Sequence, residues 1–250
     1  MDILKKIKNS RETLKTYLDK EWDTSVISDF SIHEIEKLYS LKTYKTPFTF
    51  GKASNLNITL SHLKIKDHKL HIIYYNFPEL NSNSLKITKN CGDKMYQLYL
   101  DEIIQPEDSI ILIITEPITE NIEKTIENIY KKGQEELLKT NLSNNIMEQN
   151  EKLGKEKYNR VHFRNIHILN LNNLDFNIGK HMCVPHHRCI RPQSEIEKIY
   201  ENTNSSSAQL PKILRTDPMA KLLRMAPGDI CEIERISDRC GEYKYYRICE

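Results

Sequence analysis

Glycine is scarce in this chain, with seven in 250 residues. Loops that cradle phosphate need glycines to bring backbone amides close to the anion, so the scarcity argues against a nucleotide-binding loop. No Walker-type Gly-Lys-Ser/Thr loop, Gly-x-Ser-x-Gly elbow or Cys-x-x-Cys pair occurs. Cysteine is thin too: six residues, at 91, 183, 189, 231, 240 and 249, are too sparse for a disulfide scaffold and point to a reducing compartment. No apolar run approaches the roughly 18 residues that a membrane span needs, so no membrane association is expected. The first residues, MDILKKIKNS, lack the apolar core of a signal peptide. Excess charge is also missing: 37 basic and 35 acidic residues leave a net +2. A chain that grips nucleic acid unaided usually carries a clear basic excess.

What is present is a polar sequence, 38% hydrophobic and 29% charged, long enough for one large domain or two small ones. Lys, Asn and Ile dominate, which reads as the codon bias of an AT-rich genome, viral or microbial. The segment KHMCVPHHRC crowds five potential metal ligands, His181, Cys183, His186, His187 and Cys189, into nine residues. Structural zinc sites usually draw their ligands as two short pairs separated by a loop. Here the centre, Val184-Pro185, reads as extended, and alternate side chains of an extended chain point to opposite faces. Convergence on one ion would need help from Cys231, Cys240 or Cys249. No cofactor or metal is expected; a small zinc-binding adaptor remains the alternative.

Periodicity predicts an amphipathic helix over residues 1–20, with Ile3, Leu4, Ile7, Leu14, Tyr17 and Leu18 on one face. A second helix starts at Ser31, where Glu34 completes a capping box ahead of Ile35, Leu38 and Tyr39. SHLKIK and LHIIYYNF read as strands joined by a turn at Asp67-His68-Lys69. GDKMYQLYLDEII reads as a helix and residues 109–115 as a buried strand. A helix over about 119–132 follows, carrying Ile122, Ile126, Ile129 and Tyr130. Residues 131–160 are polar, either a solvated helix or a loose excursion, and VHFRNIHIL returns to strand. Alternating strands and helices give an α/β first domain over 1–172.

The remainder, 176–250, reads as a small α+β module. Ser194 with Glu197 forms a second capping box, and NTNSSSA over 202–208 is a polar link. Asp217 at the N-cap and Pro218 at the first helical position begin another helix. DICEIERI and EYKYYRIC form a hairpin that turns at SDRCG, where Gly241 can take positive φ. Alternation sets Cys231 and Ile233 against Glu232 and Glu234, and Tyr243 and Tyr245 against Tyr246.

This module resembles a known family. Leu210-Pro211-Lys212-Ile213, Asp217-Pro218-x-Ala220, Gly228, Ile233, Arg235, Ser237 and Gly241-x-Tyr243-x-x-Tyr246-Arg247 carry the resemblance. In residues and separations they are similar to the assembly domain of the fifth-largest subunit shared by eukaryotic nuclear RNA polymerases, and to its shorter archaeal counterpart. His181, Pro185 and His187 also fit the run into that domain. The first domain resembles the eukaryotic jaw domain in order and length of elements, with 131–160 as an insertion. The resemblance implies a non-catalytic subunit of a multisubunit DNA-directed RNA polymerase, resident in the nucleus, or in the virion or infected-cell cytoplasm if viral. Its implied partners are the largest subunit, other polymerase subunits and downstream duplex DNA; no homo-oligomer is implied.

From the matched module, Leu210, Pro211, Ile213, Asp217, Pro218, Tyr243, Tyr246 and Arg247 are the expected interface residues. By the jaw resemblance, the loop and helix start holding Thr115, Pro117, Thr119, Asn121 and Lys124 lie near DNA. That loop, TEPITEN, has no cation, so contact is expected to be weak and sequence-independent, through backbone amides at most. Departures from the family pattern at Ala226-Pro227, Glu232 and Glu242 remove or reverse positive charge. They suggest an altered partner surface that replaces a host homologue poorly. The jaw fold is related to restriction-type nucleases, so an inactive nuclease-like DNA-binding protein is a further alternative. Asp67-His68-Lys69 lacks a well-placed upstream acidic partner for metal-assisted cleavage.

Overall fold

The computed structural model describes residues 2–41, 50–80, 90–237, 239 and 241–250. Two compact units emerge: Met1–Ser143 with Phe163–Phe176, and Asn144–His162 with Asn177–Glu250. Both contain helices and strands.

The first unit opens with helix α1 (Asp2–Leu18), which buries Leu4, Ile7, Leu14 and Leu18. Helix α2 (Ile32–Ser40) carries the expected capping box: Glu34 N–H donates to Ser31 Oγ at 3.3 Å and Ser31 N–H to Glu34 Oε2 at 2.7 Å. A four-stranded sheet runs in the order β1-β2-β3-β4, with β1 Ile58–Ser61, β2 Lys69–Tyr74, β3 Ser109–Ile114 and β4 Ile166–Asn170. β1 is antiparallel to β2; β2, β3 and β4 are parallel. Parallel neighbours need a crossover, supplied by α3 (Cys91–Leu100) and α4 (Glu120–Thr140). Met95, Leu98, Ile126 and Ile129 from these helices pack on Ile110, Leu112 and Ile114. All six residues of β3 are buried, as a continuous apolar run in a parallel sheet requires.

Two expectations shift here. The first strand is Ile58–Ser61, upstream of most of SHLKIK. Residues after it form a loop whose N–H groups at Lys64 and Ile65 both donate to His62 Nδ1. A local acceptor replaces a strand partner, which outcompetes the weak alternation of that stretch. Of the two readings for residues 131–160, helix holds at 131–140, which are the last turns of α4 rather than a separate segment, because Leu137 continues its buried stripe.

The second unit holds a sheet of order β5-β7-β8-β6: β5 His186–Ile190, β6 Lys212–Ile213, β7 Ile230–Ser237 and β8 Gly241–Cys249. Helix α5 (Asn144–Lys152) precedes it in sequence, the short α6 (Leu171–Leu174) belongs to the first unit, and α7 (Gln193–Thr203) and α8 (Pro218–Leu222) flank the strands in sequence. Asp217 caps α8 as expected, accepting from Met219 N at 2.8 Å and Ala220 N at 3.3 Å. The capping box at Ser194 does not form: α7 begins two residues earlier, with Pro192 at the N-cap, and Ser194 Oγ donates to Lys155 O. Residues 202 and 203 extend α7 rather than opening a link, and Asn204 closes it at φ 46°. Gly241 has φ 68°, as the hairpin turn demands.

Candidate docking surface

β7 and β8 form the long hairpin of the second unit, and register assigns each residue a face. On one face, Cys231, Ile233 and Arg235 stand opposite Arg247, Tyr245 and Tyr243. Their buried end packs with Ile213, Ala220 and Met225. On the other, Ile230 and Ile248 pack with Ile190, Ile196, Ile199 and Leu210, and Tyr246 lies against that cluster. The sheet therefore carries a core on each side. The expected split of Tyr243 and Tyr245 from Tyr246 follows this register.

The expected interface residues do different things. Leu210 and Ile213 are buried within the unit, one in each core, so their side chains are committed to packing. Asp217 is occupied as a cap. Pro211 and Pro218 are exposed. Tyr243 is 39% exposed. Tyr246 is half-buried and donates to Glu232 Oε2 at 3.2 Å. Arg247 lies with its guanidinium 5.8 Å from the Tyr245 ring centroid, and Arg235 stacks on the same ring at 4.5 Å. Ile236, which no sequence signal marked as surface, is 82% exposed near the hairpin tip.

Glu232 corrects the charge argument. Its residue is 4% exposed, and its carboxylate accepts from Arg188 Nε at 3.0 Å and Lys244 Nζ at 3.2 Å as well as from Tyr246. Arg188 also reaches Glu195 at 2.7 Å. Burial would raise the Glu232 pKa, but the two cations and their hydrogen bonds hold it below the usual glutamate value. The glutamate is an internal hub, so its charge does not reshape the surface. Ala226 is likewise buried, and its N–H donates to Asp229. Glu242 alone of the departures at 226–227, 232 and 242 bears an exposed charge.

Asp229 anchors a second hub. It is 1% exposed and accepts from His162 Nε2 at 2.7 Å and from Ala226 N at 2.8 Å, with Arg191 Nε at 3.6 Å. His162 Nδ1 accepts the Asn159 N–H at 3.0 Å, so the imidazole proton sits on Nε2 and points at the carboxylate. Burial pushes Asp229 upward, yet His162, Arg191 and the Ala226 amide bring it below the ordinary aspartate value. No periodicity marks a histidine 67 positions away as its partner.

The five candidate ligands of KHMCVPHHRC do not gather. His181 Nδ1 accepts the Cys183 N–H, His187 Nδ1 donates to Pro185 O at 2.6 Å, and His186 faces Glu234 at 3.4 Å. Cys189 Sγ lies 3.6 Å from Asp229. Register sends His187 and Cys189 to one face of β5 and His186 to the other. Among the described residues no group of three or more His, Cys, Asp or Glu is placed to hold a metal ion.

In the first unit, Thr115 is half-buried, Pro117, Thr119, Asn121 and Lys124 are exposed, and Thr119 is the N-cap of α4 without a side-chain hydrogen bond. Lys124 pairs with Glu120 at 3.8 Å and Lys131 with Glu127 at 3.9 Å, so the nearest cations are already opposed by carboxylates. His68, read as a turn residue, is buried between Trp22 and Phe163, and its Nε2 lies 3.1 Å from Ser109 Oγ. The Lys69 N–H donates to Asp108. His68 and Lys69 thus tie the start of β2 to Ser109 and Asp108, and among the described residues no metal-holding cluster forms there.

Comparison with known proteins places a family on this module. The model of the RNA polymerase Rpb5 C-terminal domain matches residues 176–249. The DNA-directed RNA polymerase subunit Rpo5 of Pyrococcus horikoshii is 46% identical over 74 residues, 30% of this chain and 89% of the relative. Rpo5 of Methanococcus maripaludis is 42% identical over 71 residues, 28% of this chain and 90% of the relative. Rpo5 of Aeropyrum pernix is 43% identical over 69 residues, 28% of this chain and 76% of the relative.

Proposed function

The chain belongs to the Rpb5/Rpo5 family of RNA polymerase subunits, and from this we propose that its second unit docks on the largest subunit while its first unit serves as a jaw toward downstream DNA. As a family member it is a non-catalytic subunit of a multisubunit DNA-directed RNA polymerase, and its role in transcription is exerted through that complex. The observation that carries the docking reading is the match itself. It spans nearly the whole of a small archaeal subunit and falls on a sheet whose two cores are filled from within. A module that is complete in itself, yet carries Ile236, Tyr243 and a pair of arginines on an exposed hairpin, has surface to offer a partner.

The jaw reading, with a restriction-endonuclease-like fold, rests on the α/β sheet of the first unit and the element order noted in the sequence. In it, the α4 start around Thr119 meets duplex phosphates through backbone N–H groups. Contact is weak and sequence-independent, because Lys124 and Lys131 are paired and Glu116 and Glu120 flank the loop. The protein works in the compartment where its polymerase transcribes: the nucleus, or the virion and infected-cell cytoplasm for a viral enzyme.

Tagging the full chain in its native cell tests the docking reading. The two large polymerase subunits are expected to co-purify in near-stoichiometric yield. Normal yield of the tagged chain without them overturns the assignment. For the jaw, Lys124→Ala in the assembled polymerase is expected to change the salt slope of downstream DNA binding by less than about one unit, the change a direct phosphate contact would give.

A further inference from the structure

The outer edge of β8 is open over most of its length. Ile248 N–H donates to Pro211 O at 2.8 Å and Glu250 N–H to Ile213 O at 3.0 Å, whereas Cys249 N–H donates to Asp229 O on the β7 side. Even-numbered backbone groups of β8 therefore face away from β7, and odd-numbered ones face it. The β6 ladder reaches no further up β8 than Ile248. The N–H and C=O groups of Glu242, Lys244 and Tyr246 point outward with no described strand beside them. The reason is local. Pro211 has no N–H to extend the ladder, and just upstream the chain turns back, with Gln209 and Leu210 N–H both donating to Ser206 O.

Natural sheets usually defend such an edge with projecting lysines or bulges. Here Lys244 is drawn sideways onto Glu232. The face holding Tyr243, Tyr245, Arg247 and Arg235 carries no carboxylate on either hairpin strand. Neither arginine has an ion-pair partner among the described residues; both lean on the Tyr245 ring. Arg247 Nε is buried with no acceptor. On the opposite face Glu232 meets Arg188 and Lys244, and Glu234 faces His186.

We infer that the open β8 edge is completed by an extended, acidic segment of the polymerase subunit that receives this module. The added strand hydrogen-bonds to Glu242, Lys244 and Tyr246, and its carboxylates meet Arg247 and Arg235. Backbone pairing supplies affinity and alternate side chains supply specificity. This inference rests on the docking reading and adds its chemistry.

The test compares amide hydrogen exchange of the full chain alone and in its purified polymerase. On assembly, the amides of Glu242, Lys244 and Tyr246 slow about tenfold or more, while those of Tyr243, Tyr245 and Arg247, already paired to β7, are protected in both states. If the complex forms and the even-numbered amides exchange as before, the edge is not used and the inference fails, with the subunit assignment intact. If no complex forms, the assignment itself fails. Two pairs of variants add independent arms. Lys244→Pro deletes an outward N–H and is expected to weaken capture about tenfold, whereas Lys244→Ala, which loses only the Glu232 contact, changes it less than about threefold. Arg247→Glu is expected to weaken capture more than Arg247→Ala. Equal behaviour within either pair contradicts the proposal. Protection of the same amides in the chain alone, with dimers in sedimentation, would make a second copy the occupant and overturn the acidic strand.

Discussion

Replacing His162 with leucine puts the strongest load on the buried chemistry of the second unit. The substitution removes the donor 2.7 Å from a carboxylate that is 1% exposed. A hydrogen bond to a charged group contributes about 1.5–3 kcal/mol, and removing one partner of a buried pair costs about 3–5 kcal/mol when nothing compensates. Compensation here is partial: the Ala226 amide at 2.8 Å and Arg191 at 3.6 Å remain. The expected loss is therefore about 2–4 kcal/mol. For a unit of this size each kcal/mol moves the midpoint by about 4–8 °C, so the transition of the second unit should fall by about 10–30 °C in scanning calorimetry of the full chain. His162→Gln, whose amide can donate to Asp229, should recover part of the loss. Asp229→Asn combined with His162→Leu should destabilise less than the sum of the single changes, by at least about 1 kcal/mol. A His162→Leu midpoint within about 3 °C of the parent, or strict additivity, would refute the idea that the two side chains form one buried unit.

Two further outcomes are expected. Gly133→Ala in the middle of α4 should destabilise the first unit by about 1–2 kcal/mol in denaturant titration, although alanine ordinarily gains about 1 kcal/mol over glycine in a helix. The new Cβ would lie 2.7 Å from Arg164 Nε, and Arg164 is held at 2.9 Å by Glu136 and at 4.2 Å over the Tyr99 ring; a gain in stability would mean the arginine swings aside freely. Asp229 and Glu232 have folded pKa values below their unfolded ones, so they stabilise the second unit above their unfolded pKa values and that stability is lost as pH falls through the folded values. Midpoints should drop below about pH 4, and Glu232→Gln should flatten that drop while lowering stability at neutral pH; an unchanged slope in Glu232→Gln would count against the Arg188–Glu232–Lys244 hub.

Much was legible from the residues in order. Local signals placed α1, α2, α8 and β3, because a capping box, an Asp-Pro start and a six-residue apolar run each act within a few residues of themselves. The hairpin and the faces of its tyrosines followed from alternation and one glycine. The spacing of Leu210 to Arg247 sufficed to recognise the family. Legibility failed where two acceptable local choices competed. Ser194 had a capping partner at hand, but Pro192 had already set the helix start. SHLKIK alternated, but His62 offered its loop a better acceptor.

The sequence by itself thus determined the locally signalled helices and strands and the family of the module, because those depend on near neighbours and on ordered spacing. Only the tertiary structure decided what the charges do. Glu232 became a buried hub and Arg235 and Arg247 were left without a carboxylate on the hairpin strands beside them, since register brought Arg188 and Lys244 to the face of Glu232 and no strand acid to the other. It likewise put His162 against Asp229 and left Glu242, Lys244 and Tyr246 on an open edge. Pairing between residues tens of positions apart depends on how elements pack, and one-dimensional periodicity does not carry that information.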